Sequence, residues 1–325
     1  MTLCAIAIVA LASIGAAAEL RVIEVEVARF VFYVHNENDQ SKWSTESGIT
    51  QAGPLRTFGT FLAVADVVSV NGRPARGTFY QRAMFVNSLP NPNAAQSVAD
   101  SARGNFSDIV FDLMSDDGRI AGSIMATGFL ATTPPPGAPR AATQNTLTIT
   151  GGTGGFLGAR GQVSGGVNPL AGRGASVTEN PALRRTLGGG GRRFFIQLMP
   201  ESLPEIVVNG VQAEVFHLDF TAVSAASPAR PGEMVTAVAM NLGPTAPSLE
   251  PGQVFPQEPL FAVNSPVEAI VDGKTVAVVN AIGFPGTQNR FRVDFRVPED
   301  IRPGTVGIRL ATAWISGPEV RIPVR

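Results

Sequence analysis

Cysteine is almost absent: the chain of 325 residues contains one, Cys4. A single thiol excludes a disulfide framework within the chain, and cysteine-ligated metal sites with it. Histidine is nearly as scarce. His35 and His217 stand far apart, so no zinc-type spacing exists, and each reads as an ordinary strand or loop residue. With two tryptophans and two tyrosines, the 19 phenylalanines must supply most of the aromatic packing. Charged residues make up only 16%, and the formal net charge is −1. That balance gives no electrostatic footprint for nucleic acid. Beyond residue 18 no apolar run is long enough to span a bilayer.

Glycine (35) and proline (25) are abundant, and 44% of the residues are hydrophobic. That combination builds a core and suits a turn-rich β protein better than a helical one. Residues Leu3 to Ala18 read LCAIAIVALASIGAAA, an uncharged apolar run that ends in small residues before Glu19. We read residues 1–18 as a secretory signal peptide, although no Lys or Arg precedes the run. The expected location is therefore extracellular. Removal of the segment would leave a mature protein without cysteine.

Alternation of apolar and polar residues dominates the first half. Arg21 to Val34 reads RVIEVEVARFVFYV. Strict period two puts Ile23, Val25, Val27, Val31 and Tyr33 on one face, and Glu24, Glu26, Ala28, Phe30 and Phe32 on the other. Further strands are expected at 56–70, 76–87, 104–114, 119–131, 146–150, 157–164 and 192–199. Turn signals such as Asn71-Gly72 and Asp117-Gly118 separate them, as does Pro134-Pro135-Pro136-Gly137. Eight hairpin-linked strands fit a closed antiparallel β-barrel over residues 19–200, which leaves no exposed sheet edge. Residues 90–102 suit one short helix. Gly165 to Gly191 reads as a long mobile loop. Its end, Gly188-Gly189-Gly190-Gly191-Arg192-Arg193, is either a flexible approach to the last strand or an anion-holding loop.

Residues 205–325 carry their own set of about seven short strands with Pro-rich connectors and a hairpin signal at Asp272-Gly273. That pattern suggests a β-sandwich.

The densest motif is Ile149 to Gln162, ITGGTGGFLGARGQ. TGGTGxxLG resembles a dinucleotide-binding loop, but such a loop needs a helix directly after it. Here Ala159 to Gly166 holds three glycines and two poor helix formers, so a strand–turn–strand hairpin is the better reading. In that context the chain resembles the allene oxide cyclase and dirigent superfamily, whose barrels carry a GGTGxFxGARG-like hairpin. The segments Gly59 to Asp66, Arg76 to Arg82 and Asp117 to Gly122 look like other family strands in the same order.

The resemblance implies an eight-stranded barrel that binds an apolar small molecule in its lumen. It also implies isomerase or coupling-guiding activity that needs no cofactor or metal. Asp66 then matches a dirigent carboxylate, Arg160 the arginine of the glycine hairpin, and Glu24 (with Glu26) an acidic position of the first cyclase strand. Read as residues alone, each has a second role: Asp66 capping a turn, Arg160 pairing with Asp66 or another carboxylate, Glu24 and Glu26 on a solvated face. Homo-oligomerisation through the barrel is a further implication.

SPARPGE (227–233), NLGP (241–244) and FRVDFRVP (291–298) resemble motifs of a C-terminal module found on secreted bacterial proteins. Its fold is an immunoglobulin-like β-sandwich, and its expected partners are cell-surface or matrix components. Two functions are weighed, and the first is the favoured one. One is small-molecule binding with isomerase-type activity. The other is a non-catalytic cell-surface or extracellular structural or adhesion protein. An open lumen with Asp66 or Arg160 pointing inward favours the first; a lumen filled by Phe and Met favours the second.

Overall fold

The computed structural model describes residues 20–36, 56–88, 103–133, 146–165, 172–175, 179–250 and 252–325. The signal segment, the helix expected at 90–102 and the turn at Pro134–Gly137 lie outside the described residues. Eight long strands form the first half: β1 (Arg21–Asn36), β2 (Arg56–Val70), β3 (Arg73–Ser88), β4 (Arg103–Ser115), β5 (Ile120–Thr133), β6 (Thr146–Gly152), β7 (Arg160–Gly165) and β8 (Gly190–Met199). Each pairs antiparallel with the next, and β1 joins both β8 and β2, so the sheet closes into a barrel. Alternation drives this closure. On β3, Ala75, Phe79, Gln81 and Ala83 are buried while Arg76, Tyr80, Arg82 and Met84 face water.

One face assignment fails, for a local reason. The β1–β2 register slips between Ala28 and Val31, where Arg29 adopts φ +54°. This bulge inserts extra backbone and swaps the inward side, so Phe30 and Phe32 join Ile23, Val25 and Val27 against the core instead of siding with Glu24. No glycine marks the site, which is why strict period two misplaces both rings.

Aromatic rings pack together in the barrel core. Phe79 lies 4.9 Å from Phe194, 5.1 Å from Phe111 and 5.3 Å from Phe30 between ring centroids. All four rings are buried. Such tilted and stacked contacts add to the burial of four large side chains.

The segment expected to be a mobile loop is packed where it is described. Arg173–Gly174 pairs in parallel with Val31 and Phe32 of β1. Pro181–Leu183 forms a 3-10 turn capped by the Asn180 side chain, and a helical turn, Arg184–Leu187, follows. Ion pairs from its arginines hold this strap to the barrel wall.

The second half is also all-β, a second and nearly closed antiparallel sheet with its own core around Val235, Val293, Phe295 and Leu310. Its principal strands are Met234–Met240, Val267–Val271, Lys274–Gly283, Phe291–Arg296, Gly304–Thr312 and Val320–Val324. Lys274–Gly283 pairs with Val267–Val271 through its first residues and with Phe291–Arg296 through its last. The Asp272-Gly273 turn has positive φ at both residues, as that dipeptide favours.

The two halves share a core. Ala313 and Ile315 belong to the barrel's buried cluster, with Trp314 packed beside them. They sit in a tight hairpin in which Thr312 faces Ile315 and both turn residues, Ala313 and Trp314, have positive φ. Among the described residues no helix is long and apolar enough to cross a membrane.

Candidate functional site

Asp66 lies on the outer side of β2, not in the lumen, because its neighbours Ala65 and Val67 are the inward residues. It is nevertheless 4% exposed. Three guanidinium groups cover it: Arg29 at 2.5 Å, from the β1 bulge, and Arg184 at 2.5 Å and Arg185 at 3.2 Å, from the helical turn of the strap. Arg184 also donates to the backbone carbonyl of Arg29. Burial raises the Asp66 pKa, and hydrogen bonds from Arg184, Arg29 and Arg185 more than offset it, leaving the carboxyl below its ordinary range. All three partners are permanent cations, so Asp66 is fixed as a carboxylate. It is a clamp for the strap, with no proton to give at neutral pH.

Glu24 and Glu26 also face outward. Arg193 reaches Glu24 at 2.9 Å and Glu26 at 2.6 Å, and Ser69 donates to Glu26 at 2.7 Å. The Ser69 hydroxyl, then Arg193, lowers the Glu26 pKa. These contacts tie β8, β1 and β2 together on the barrel's outside. The solvated-face reading of both glutamates describes their position.

Arg160 opens β7, exposed, opposite Met199. It does not pair with Asp66, whose guanidinium partners are Arg29, Arg184 and Arg185. Instead it lines a cleft of about 530 Å³ with Thr150, Met199 and Glu201. Asp66, Glu24 and Arg160 thus stand apart on the outer surface, and none reaches the lumen. Among the described residues no group of three or more His, Cys, Asp and Glu side chains is placed to hold a metal ion.

The polar groups that do point inward are different ones. Gln81 donates to Ser107 at 3.0 Å, and Ser107 to Asn105 at 2.6 Å. Arg192 alternates with the inward residues Phe194, Ile196 and Leu198, and its guanidinium lies 4.5 Å over the Phe30 ring. Burial pushes its pKa down, and no carboxylate among the described residues pairs with it. The sequence offered Arg192 as the start of the last strand and as part of an anion-holding glycine loop, but not as an inward residue; its inward aim follows from counting back from Phe194 by twos.

The glycine hairpin does its work at the junction. β6 and β7 are antiparallel, joined by a 3-10 turn at Gly154–Phe156, so no long helix follows the glycines. A Cβ on Gly155 would stand 2.6 Å from that of Ala313, and one on Gly122 would meet the Thr153 carbonyl oxygen at 2.0 Å. Ser265 donates to the Ala121 carbonyl at 2.9 Å in the buried contact. At the rim Arg73 binds Glu268 through two hydrogen bonds, of 2.6 and 2.9 Å. The bare hairpin lets the second half seat against the barrel end. A cleft of about 410 Å³ remains beside it, lined by Gly154, Leu157, Glu201 and Asn241 among others.

No family model, no curated protein and no solved structure matches this chain.

Proposed function

We propose that the chain is a non-catalytic extracellular scaffold, a cell-surface or matrix protein that acts through its outer surface. One observation carries this reading: four buried phenylalanines pack against one another in the barrel core, while Asp66, Glu24 and Arg160 lie outside it. A catalytic pocket needs polar groups converging on an enclosed space. Here two of the three, Asp66 and Glu24, are engaged in ion pairs that join segments of the wall. Secretion rests on the apolar leader at 3–18, and an immunoglobulin-like role for the second half rests on its SPARPGE and FRVDFRVP motifs.

A second reading is favoured by Arg192. An inward guanidinium on an aromatic floor, without a carboxylate among the described residues, suits an apolar molecule that carries an acidic group. The resemblance to allene oxide cyclases and dirigent proteins supports that alternative, with isomerase or coupling-guiding chemistry. Mass spectrometry of small molecules retained by the purified protein separates the two. The scaffold reading expects none, and Arg192→Met raises or preserves the melting temperature because a desolvated, unpaired charge is removed. A stoichiometric organic acid, lost in Arg192→Met, would overturn it.

A further inference from the structure

The outside of β2–β5 is unusually apolar for a surface. Leu62, Tyr80, Met84, Phe106, Met125 and Phe129 are all between 40% and 57% exposed. The register of the strands arranges most of them in rows. Met84, Phe106 and Phe129 are directly opposite one another across β3, β4 and β5, and the last two rings touch at 4.9 Å between centroids. Tyr80, Val110 and Met125 form a second apolar row. Between them runs a mixed row that begins with Leu62 on β2 and is otherwise polar: Arg82 pairs with Asp108 at 2.7 Å, and Thr127 donates to Asp108 at 2.7 Å.

We infer that this face binds a second copy of the chain through a two-fold axis running parallel to the strands, between β3 and β4. The argument is self-complementarity. Such an axis lays β3 of one protomer over β4 of its partner. Because Arg82 is opposite Asp108, Met84 opposite Phe106 and Tyr80 opposite Val110 within one sheet, the rotation puts each Arg82 over an Asp108 and each apolar row over an apolar row. Few partners of another sequence would match a central cation–anion pair flanked by apolar rows; a second copy does so by symmetry. Four strands and five residues span about 19 by 17 Å, so the contact belongs to the small, reversible class and depends on protein concentration.

The inference rests on the reading of the barrel as a scaffold working through its outside. The two fail separately: a ligand in the lumen would sink that reading without touching the dimer, and a monomer would sink the dimer while leaving the lumen filled.

The test is sedimentation velocity of the full chain from about 1 to 100 μM, with two charge reversals. The unaltered chain is expected to pass from monomer to dimer. Arg82→Glu sets two acids against each other across the axis, and Asp108→Arg sets two bases, so each variant alone associates at least about ten-fold more weakly. Mixed in equal amounts, the two variants regain a dimer, because acid then meets base at both symmetric positions. Phe129→Gln, at the patch edge, is a further variant expected to weaken association. Circular dichroism and thermal melting confirm folding, since the exposed pair contributes little to stability. A chain that stays monomeric throughout, single reversals that still dimerise, or a mixture that stays monomeric would each overturn the proposal.

Discussion

Gly155 and Ala313, 158 positions apart in the chain, approach so closely that a methyl group on the first would stand 2.6 Å from the methyl of the second. Gly155 is not in the positive-φ region, so the demand for glycine here is spatial. Gly155→Val is expected to pry the halves apart and to cost about 1–3 kcal/mol, as overpacking of a close contact does. Chemical denaturation should then separate into two transitions, and protease should cut near Pro200–Pro204. An unchanged single transition would contradict the shared core.

Asp66 carries a prediction about stability. Asp66→Asn leaves the shape but removes the anion facing three guanidinium groups. The expected loss is about 3 kcal/mol, the low end for a broken buried pair, because Arg29 and Arg185 can return to water. The pH dependence has a definite sign. The folded pKa is depressed below the ordinary 3.8, so the clamp stabilises fully above that value and is lost as pH falls through the lower, folded value. Acid unfolding of the unaltered chain should therefore show a component below about pH 4 that is missing in Asp66→Asn.

In the second half, His217 donates through Nδ1 to the Glu233 carboxylate at 2.6 Å and faces the Ser227 carbonyl through Nε2. The Glu233 hydrogen bond raises its pKa above 6.5, outweighing burial. A raised histidine stabilises fully below the unfolded value and loses that contribution as pH rises through the folded one. Thermal melting should fall between pH 6.5 and alkaline pH by more in the unaltered chain than in His217→Gln, and NMR titration should place the ring above its free value.

Much of the barrel was legible because alternation and turn chemistry agree at almost every hairpin. The β2 bounds, Arg56–Val70, follow from period two and from Asn71-Gly72 directly after it. The site was legible in residue type but not in direction. Asp66, Glu24 and Arg160 are polar residues whose outward aim depends on register, and register is fixed by partners far along the chain. Phe30 was lost to a bulge at Arg29 that no glycine announces. The strap was lost because many glycines and few large apolar residues signalled looseness, while Arg184 and Arg185 found a carboxylate 118 and 119 positions earlier. Nor does any local pattern say that Ala313 and Ile315 belong to the other half's core.

That last arrangement bears on how the molecule comes to exist. A ribosome completes β8 long before it makes the Ala313–Trp314 hairpin, so the emerging barrel waits with an unfinished floor. Until the second half arrives, Gly155 lacks its Ala313 neighbour and the Ala121 carbonyl lacks the Ser265 hydroxyl. A chain truncated before residue 313 would lack Ala313 and Ile315 from the barrel's buried cluster, and its barrel is expected to melt at a lower temperature than that of the full chain.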